Sequence, residues 1–257
     1  MDFDTESFRW GKEHLSDVNP QWLELAAVFE SISREDIIKQ KRLSFLRWKN
    51  GEIKSPRVGG QDLINNIIKD RLVAVGWETQ IFVLDLTDGE MKAIGKDLEI
   101  ESSRSLQSNK QRASSTKVSY WTMDFKKQDI GVEVSFNNAG VLAQNLLRLS
   151  VMSESYLKPK DKKIRLGILI TATAALKKWS NMDDTVLTYE TVRRVFPLIN
   201  FNIPTPIVLV GLNNSTEGEI WKETELFGHQ KLSKYDDLTK DEQSKWEDVI
   251  GKKLSDY

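Results

Sequence analysis

The stretch Tyr120-Trp-Thr-Met-Asp-Phe-Lys-Lys-Gln-Asp-Ile-Gly-Val-Glu-Val-Ser-Phe136 constrains this chain most. Two runs of strand-forming residues flank the polar Lys127-Gln128-Asp129, the pattern of a β-hairpin. With Gln128 and Asp129 as the loop, cross-strand partners have numbers that sum to 257. Asp124 then stands opposite Glu133, Thr122 opposite Ser135 and Lys126 opposite Gly131. The other face carries Phe125 with Val132, Met123 with Val134 and Trp121 with Phe136. One face is apolar, and the other holds two carboxylates, a hydroxyl and a lysine.

Directly opposed residues have Cβ atoms about 4.5–5.5 Å apart. Two carboxylates that close repel unless a proton or cation lies between them. Two readings stand at this level. The acids are a chance pair on a wet sheet face, neutralised by Lys126, or they are a site for a hard divalent cation. Mg²⁺ is held by one or two carboxylates together with water and phosphate oxygens, so the second reading expects a phosphate substrate.

Composition removes competing chemistries. The 257 residues contain no cysteine and two histidines, His14 and His229, so a thiol nucleophile and a cysteine-rich zinc site are excluded. A Ser-His-Asp triad would need one of two histidines in peripheral segments. The start, Met-Asp-Phe-Asp-Thr-Glu, has no apolar signal core, and no run reaches membrane-spanning length. The expectation is a soluble, cytoplasmic protein without a membrane partner. The net charge is −1, but it is unevenly spread. Residues 33–57 hold eight Lys/Arg against three acids, a net of +5, and residues 213–257 hold eleven acids against seven lysines, a net of −4. Solvated surface and a segregated nucleic-acid footprint both fit such runs.

Along the chain, helix spacing covers Pro20–Ile32, with Asn19 as cap and Pro20 at the first helical position. A second helix starts at Ser33, with Glu35 and Asp36 in its first turn. Lys54–Gly60 reads as a basic loop. Gln61–Val75 is a helix with Leu63, Ile64, Ile67 and Ile68 on one face. Asp62 and Asp70 lie on the other, as solvated acids or as one further acid for a metal. Thr79–Asp85 is a strand, and Ser102–Ser114 is a loop. After the hairpin, Ala139–Leu157 is a helix with Leu142, Leu146, Leu149 and Met152 on its apolar face. Ile164–Thr171 and Ile207–Leu212 are buried strands. Thr173–Asp184 reads as a loop, Val186–Pro197 as a helix, and Lys240–Lys252 as a last helix. The alternation of strands and helices indicates an α/β fold.

Asp124, then eight residues, then Glu133-Val-Ser-Phe-Asn-Asn138 resembles the active-site strand pair of type II restriction endonucleases of the BglII/BstYI family, within the PD-(D/E)xK superfamily. Leu142–Ser150, Ile164–Thr171, Trp179-Ser-Asn181, Thr188-Tyr-Glu190 and Ile203–Leu212 resemble the elements that follow it, in order. Gly59–Trp77 is similar more weakly.

The resemblance implies a restriction-endonuclease-like core, a central mixed β-sheet flanked by helices. It implies a single endonuclease domain, with 1–58 a helical N-terminal extension, 59–212 the catalytic core and 213–257 a charged C-terminal extension. It implies Mg²⁺ held by Asp124, Glu133 and the Val134 carbonyl. Ser135 occupies the position where most of the superfamily has lysine; the BglII-type group itself departs from lysine there, using Gln or Ser, and Lys126 is the second choice for that role. Asn109, fifteen residues before Asp124, matches a family asparagine that helps hold the attacking water. Asn137, Asn138 and Asn181 match base-contacting positions, since asparagine can read adenine; capping the next helix is the competing role of Asn138.

The expected partners are double-stranded DNA, a second copy in a homodimer that reads a palindrome, GATC-centred if it follows the family's sites, and a cognate DNA methyltransferase. Two other classes stay open: a nuclease directed by DNA structure or modification, and a non-catalytic DNA-binding protein on the same fold.

Overall fold

The computed structural model describes residues 1–16, 18–53, 59–83, 122–136, 139–154, 163–180, 182–199, 205–214, 239–241 and 243–244. The elements are β1 (Asp2–Phe8), α1 (Gly11–His14), α2 (Asn19–Ser31), α3 (Arg34–Lys49), α4 (Gly60–Ala74), β2 (Glu78–Phe82), β3 (Thr122–Lys127), β4 (Ile130–Val134), α5 (Ala139–Glu154), β5 (Leu166–Ala172), α6 (Ala174–Trp179), α7 (Tyr189–Ile199) and β6 (Ile207–Asn213). The six strands form one mixed sheet in the order β1-β6-β5-β4-β3-β2. The central pairs β4–β5 and β5–β6 are parallel, and the pairs β1–β6, β2–β3 and β3–β4 are antiparallel. This is the expected α/β architecture.

The central strands are apolar on both faces because both faces are covered. Every residue of β4 and β5 is buried, as parallel strands between helical layers require. On one face Ile168, Ile170, Val208, Val210, Val132 and Val134 pack with Leu25 and Phe29 of α2, Ile64 and Ile68 of α4 and Leu176 of α6. On the other, Leu169, Ile207 and Leu209 pack with Leu142, Leu146, Leu149 and Met152 of α5 and Val192 and Phe196 of α7. Helix α5 joins parallel β4 to β5, and α6 and α7 lie on the crossover from β5 to β6.

Several sequence expectations change in detail. Asp2–Phe8 is an edge strand paired to β6 from Asp2↔Asn213 to Phe8↔Ile207, so residues 1–58 are not purely helical. The strand is mostly half-exposed and polar, and its signal is weak because only one face is buried. Helix α2 also sits in the main core beside α4. Its N-cap is Val18, without a side-chain bond, so Asn19 is inside the helix. Helix α3 starts as expected: Ser33 and Asp36 exchange side-chain and backbone bonds in a capping box. The span 173–184 is not a plain loop, since Thr173 Oγ1 accepts from the Leu176 N–H and starts α6. Lys240–Lys252 falls largely outside the described residues, with 240, 241, 243 and 244 helical.

Candidate active site

The hairpin keeps its predicted register at the turn: Phe125 pairs with Val132, Lys126 with Gly131 and Lys127 with Ile130. Gln128 takes the left-handed conformation (φ 48°) that a two-residue loop demands. Lys127 Nζ anchors the turn by bonding Glu24 at 2.7 and 2.9 Å and the Val75 carbonyl at 2.6 Å. Glu24 also accepts from Trp77 Nε1 at 2.6 Å. One carboxylate of α2 therefore ties the turn to the residues that follow α4.

The regular ladder stops at Asp124. Val134 donates its backbone N–H to Asp124 Oδ2 at 2.8 Å. The β2–β3 pairing also skips here, between Thr79↔Phe125 and Ile81↔Met123, where Gln80 has φ 55°. Side-chain alternation breaks at the same point. Phe125 faces the cluster with α2 and α4, but Met123 faces α5 with Ile81. The sequence expectation that Met123 shares a face with Phe125 and Val134 is thus corrected, because an irregular residue in the strand shifts every side chain beyond it to the other face.

The acidic face is not wet either. Glu133 is 0% exposed and Ser135 is buried. Arg148 of α5 donates from Nη1 to Glu133 Oε2 at 3.1 Å and to Asn145 Oδ1 at 3.0 Å. Glu133 Oε1 is buried and accepts from no N–H or hydroxyl donor, and the other interaction of this carboxyl is a proton shared with Asp124. Burial, followed by the charge of Asp124, pushes the Glu133 carboxyl up to about 9, against the pull of Arg148. Burial also raises Asp124, offset by the Val134 N–H, Arg148, Glu133 and Lys69. A buried acid and a half-buried one that resist ionising together are a site short of positive charge.

That shortage is the test of fit for a metal. A buried carboxylate oxygen without a donor group, beside a second carboxylate, is a donor set suited to a hard divalent cation. Asp62 and Asp70 are exposed. Among the described residues no group of three or more His, Asp or Glu stands together, so a third acidic ligand is not supplied by them. Lys126, read as the neutralising lysine, is buried opposite Gly131 and Glu78, while Arg148 and Lys69 are the cations acting on Asp124.

Ser135 extends the β4–β5 pairing, donating its N–H to the Ile170 carbonyl at 2.7 Å. Asn109, Asn137, Asn138 and Asn181 lie outside the described residues. The neighbours of Asn181 are described: Ser180 accepts the Gly60 N–H at 3.1 Å, and Met182 donates its N–H to the Lys177 carbonyl at 3.1 Å. Ser180 is therefore seated on the start of α4. Sequence reasoning missed Arg148 and Asn145. Their signal was present, because they flank the Leu142/Leu146/Leu149 stripe of α5 one helical turn apart, on the side that covers the hairpin.

Comparison with known proteins follows the same lines. The family model described as "Restriction endonuclease BglII/BglIII" matches residues 3–212. The crystal structure of restriction endonuclease BglII complexed with a DNA 16-mer is similar at TM-score 0.52 and 21% identity, over 85% of this chain and 79% of that one. The structure of free BglII gives a TM-score of 0.46 at 20% identity, over 85% and 82% of the two chains. No curated protein matches.

Proposed function

The chain belongs to the BglII/BglIII restriction endonuclease family, which makes it a type II site-specific deoxyribonuclease, and we propose that it hydrolyses double-stranded DNA at a short palindrome with Mg²⁺ at Asp124 and Glu133. The observation that carries this reading is the buried Oε1 of Glu133, which accepts from no N–H or hydroxyl donor and has only the second carboxyl, Asp124, beside it. Leaving a polar group buried and unpaired costs about 1–3 kcal/mol, and a cation shared by the two carboxylates removes that cost.

Asp124 and Glu133 would hold the cation, with the Val134 carbonyl completing the protein's share. Bound there, Mg²⁺ supplies Lewis acidity that lowers the pKa of a water and offsets charge growing on the phosphate. Asp124 is already fixed for that duty by the Val134 N–H. Ser135 offers a hydroxyl that hydrogen-bonds water and carries no charge, which supports the BglII/BstYI group within the family. Asn109 is proposed to help hold the attacking water. Asn137, Asn138 and Asn181 are proposed to read bases, the last following Ser180, which is seated against Gly60. A GATC-centred palindrome is the working target.

Recognition of a palindrome calls for a homodimer, since protein and site symmetry mirror each other. The outward side of α5 and α7 supports one: Leu147 is 49% exposed and Leu198 is 71% exposed, on the helices that cover the same sheet face. The solved relative bound to a DNA 16-mer supports duplex DNA as the substrate. Among the described residues no helix is long and apolar enough to cross a membrane. A cytoplasmic setting and a companion methyltransferase that protects the host's own sites complete the reading.

The test is incubation with unmethylated phage DNA and Mg²⁺ beside an Asp124→Ala control. Discrete fragments from the native chain alone are expected, and their ends give the site. Cleavage that survives the substitution would remove Asp124 from the mechanism. Smears without discrete ends would point to a structure-directed nuclease.

A further inference from the structure

Arg148 makes an unusual contact for an arginine beside a buried carboxylate. Arginine and carboxylate often meet through two parallel bonds that use both oxygens. Here Nη1 donates to Glu133 Oε2 alone, at 3.1 Å, and the same nitrogen donates to Asn145 Oδ1 at 3.0 Å. Glu133 Oε1 accepts from no N–H or hydroxyl donor, and the carboxyl's remaining interaction is with Asp124. An arginine serving only to neutralise the acid would gain by taking both oxygens. This one holds a single edge of the carboxylate.

The brace is stiff. Asn145 is buried and lies three residues before Arg148, on the neighbouring turn of α5. The helix is locked to the sheet by Leu142, Leu146, Leu149 and Met152. The guanidinium is planar and always charged, so its donor directions are fixed once one bond is made.

We propose that Arg148 is the positioning residue of the two-carboxylate centre: braced by Asn145, it pins Glu133 by Oε2 and keeps Oε1 free for the divalent cation. The proposal rests on the reading that Asp124 and Glu133 form a metal centre. Partners that orient a ligand in this way typically contribute about 10–100-fold in metal affinity or activity.

Binding of Mn²⁺ to the full chain, followed by the paramagnetic resonance signal of the free ion, tests this without relying on cleavage. The proteins are the native chain, Asp124→Ala, Arg148→Ala, Arg148→Lys and Asn145→Ala. Arg148→Ala should weaken Mn²⁺ binding about tenfold or more. Asn145→Ala should weaken it less, and Arg148→Lys should recover part of the loss. If Arg148→Ala does not fold, the other two variants carry the comparison. Single-turnover cleavage should then need more Mg²⁺ for half its maximal rate, with duplex affinity in the absence of divalent cations within about twofold, since metal ligation rather than phosphate contact changes. Native-like Mn²⁺ affinity in the Arg148 and Asn145 variants, with Asp124→Ala binding lost, overturns the positioning role alone. Tighter binding in Arg148→Ala also overturns it, because Arg148 would then compete with the cation. Equal binding by the native chain and Asp124→Ala overturns the metal-centre reading itself, and the role of Arg148 with it.

Discussion

The backbone N–H of Val134 is bonded to the side chain of Asp124, at 2.8 Å. In a two-residue hairpin the pairs flanking the loop alternate between bonded and non-bonded. Continued regularly from Lys127 and Ile130, the ladder would make Met123 and Val134 a bonded pair. The carboxylate has taken the place of the Met123 carbonyl. The hairpin opens where the two acids meet, and Asp124 is held against the strand that carries Glu133.

Asp124→Asn keeps an oxygen that can accept the Val134 N–H and removes the charge. Its urea unfolding midpoint should stay near the native one, while cleavage should fall at least about a thousandfold, the scale expected when a stabiliser of transition-state charge is lost. Asp124→Ala should lose activity equally and also destabilise by about 1–3 kcal/mol, because the Val134 N–H is left without its partner. Equal stability of the two variants would show that the bond contributes little.

Metal-free stability should depend on pH through Glu133. Its carboxyl is raised from 4.5 to about 9 in the fold, so the unfolded chain releases this proton first as pH rises. The stabilisation is complete below the unfolded value and is lost progressively up to about 9. In chelator-treated protein, the melting temperature should decline over that range, and Glu133→Gln should flatten the decline. Because a ligand must be deprotonated to bind, Mn²⁺ affinity should rise with pH over the same interval. A decline of equal slope in Glu133→Gln would assign it to other groups.

Gly60 tests the link between α4 and the loop that bears Asn181. A Cβ there would meet the Ser180 Cβ and Oγ at 2.4 Å and its carbonyl oxygen at 2.5 Å. The backbone oxygen has no flexible end to swing aside. Gly60→Ala should destabilise by about 1–3 kcal/mol from overpacking. It should also weaken binding to the cleavable duplex in Ca²⁺ more than Mn²⁺ binding by the free protein. An unchanged duplex affinity would separate the loop from recognition.

Leu147 of α5 and Val195 and Leu198 of α7 are exposed apolar side chains. Leu147→Lys should shift the sedimentation equilibrium toward the monomer while leaving the fold intact, as surface changes away from packed features usually stay within about 0.5 kcal/mol. A monomeric native chain would rule out the dimer outright.

The sequence alone determined the central sheet, because buried parallel strands write themselves as continuous apolar runs such as Leu166–Ala172 and Ile207–Leu212. It determined the hairpin register near the turn, and with it that Asp124 and Glu133 come close enough to interact, although the regular pairing ends one residue before Asp124. The capping box at Ser33 was legible for the same reason. Strand β1 was not, because a polar edge strand gets its partner from β6, some two hundred residues away. Nor could spacing show that α5 closes over the acids. The environment of Glu133, its raised pKa and its bond to Arg148 depend on which helix face lands on which strand. The broken alternation at Asp124 was equally hidden, as a regular period of two is the only pattern a strand reveals. Local chemistry named the two carboxylates. Tertiary packing decided that Glu133 is buried and Asp124 half-buried, that they share too little positive charge, and that Arg148 holds one of them.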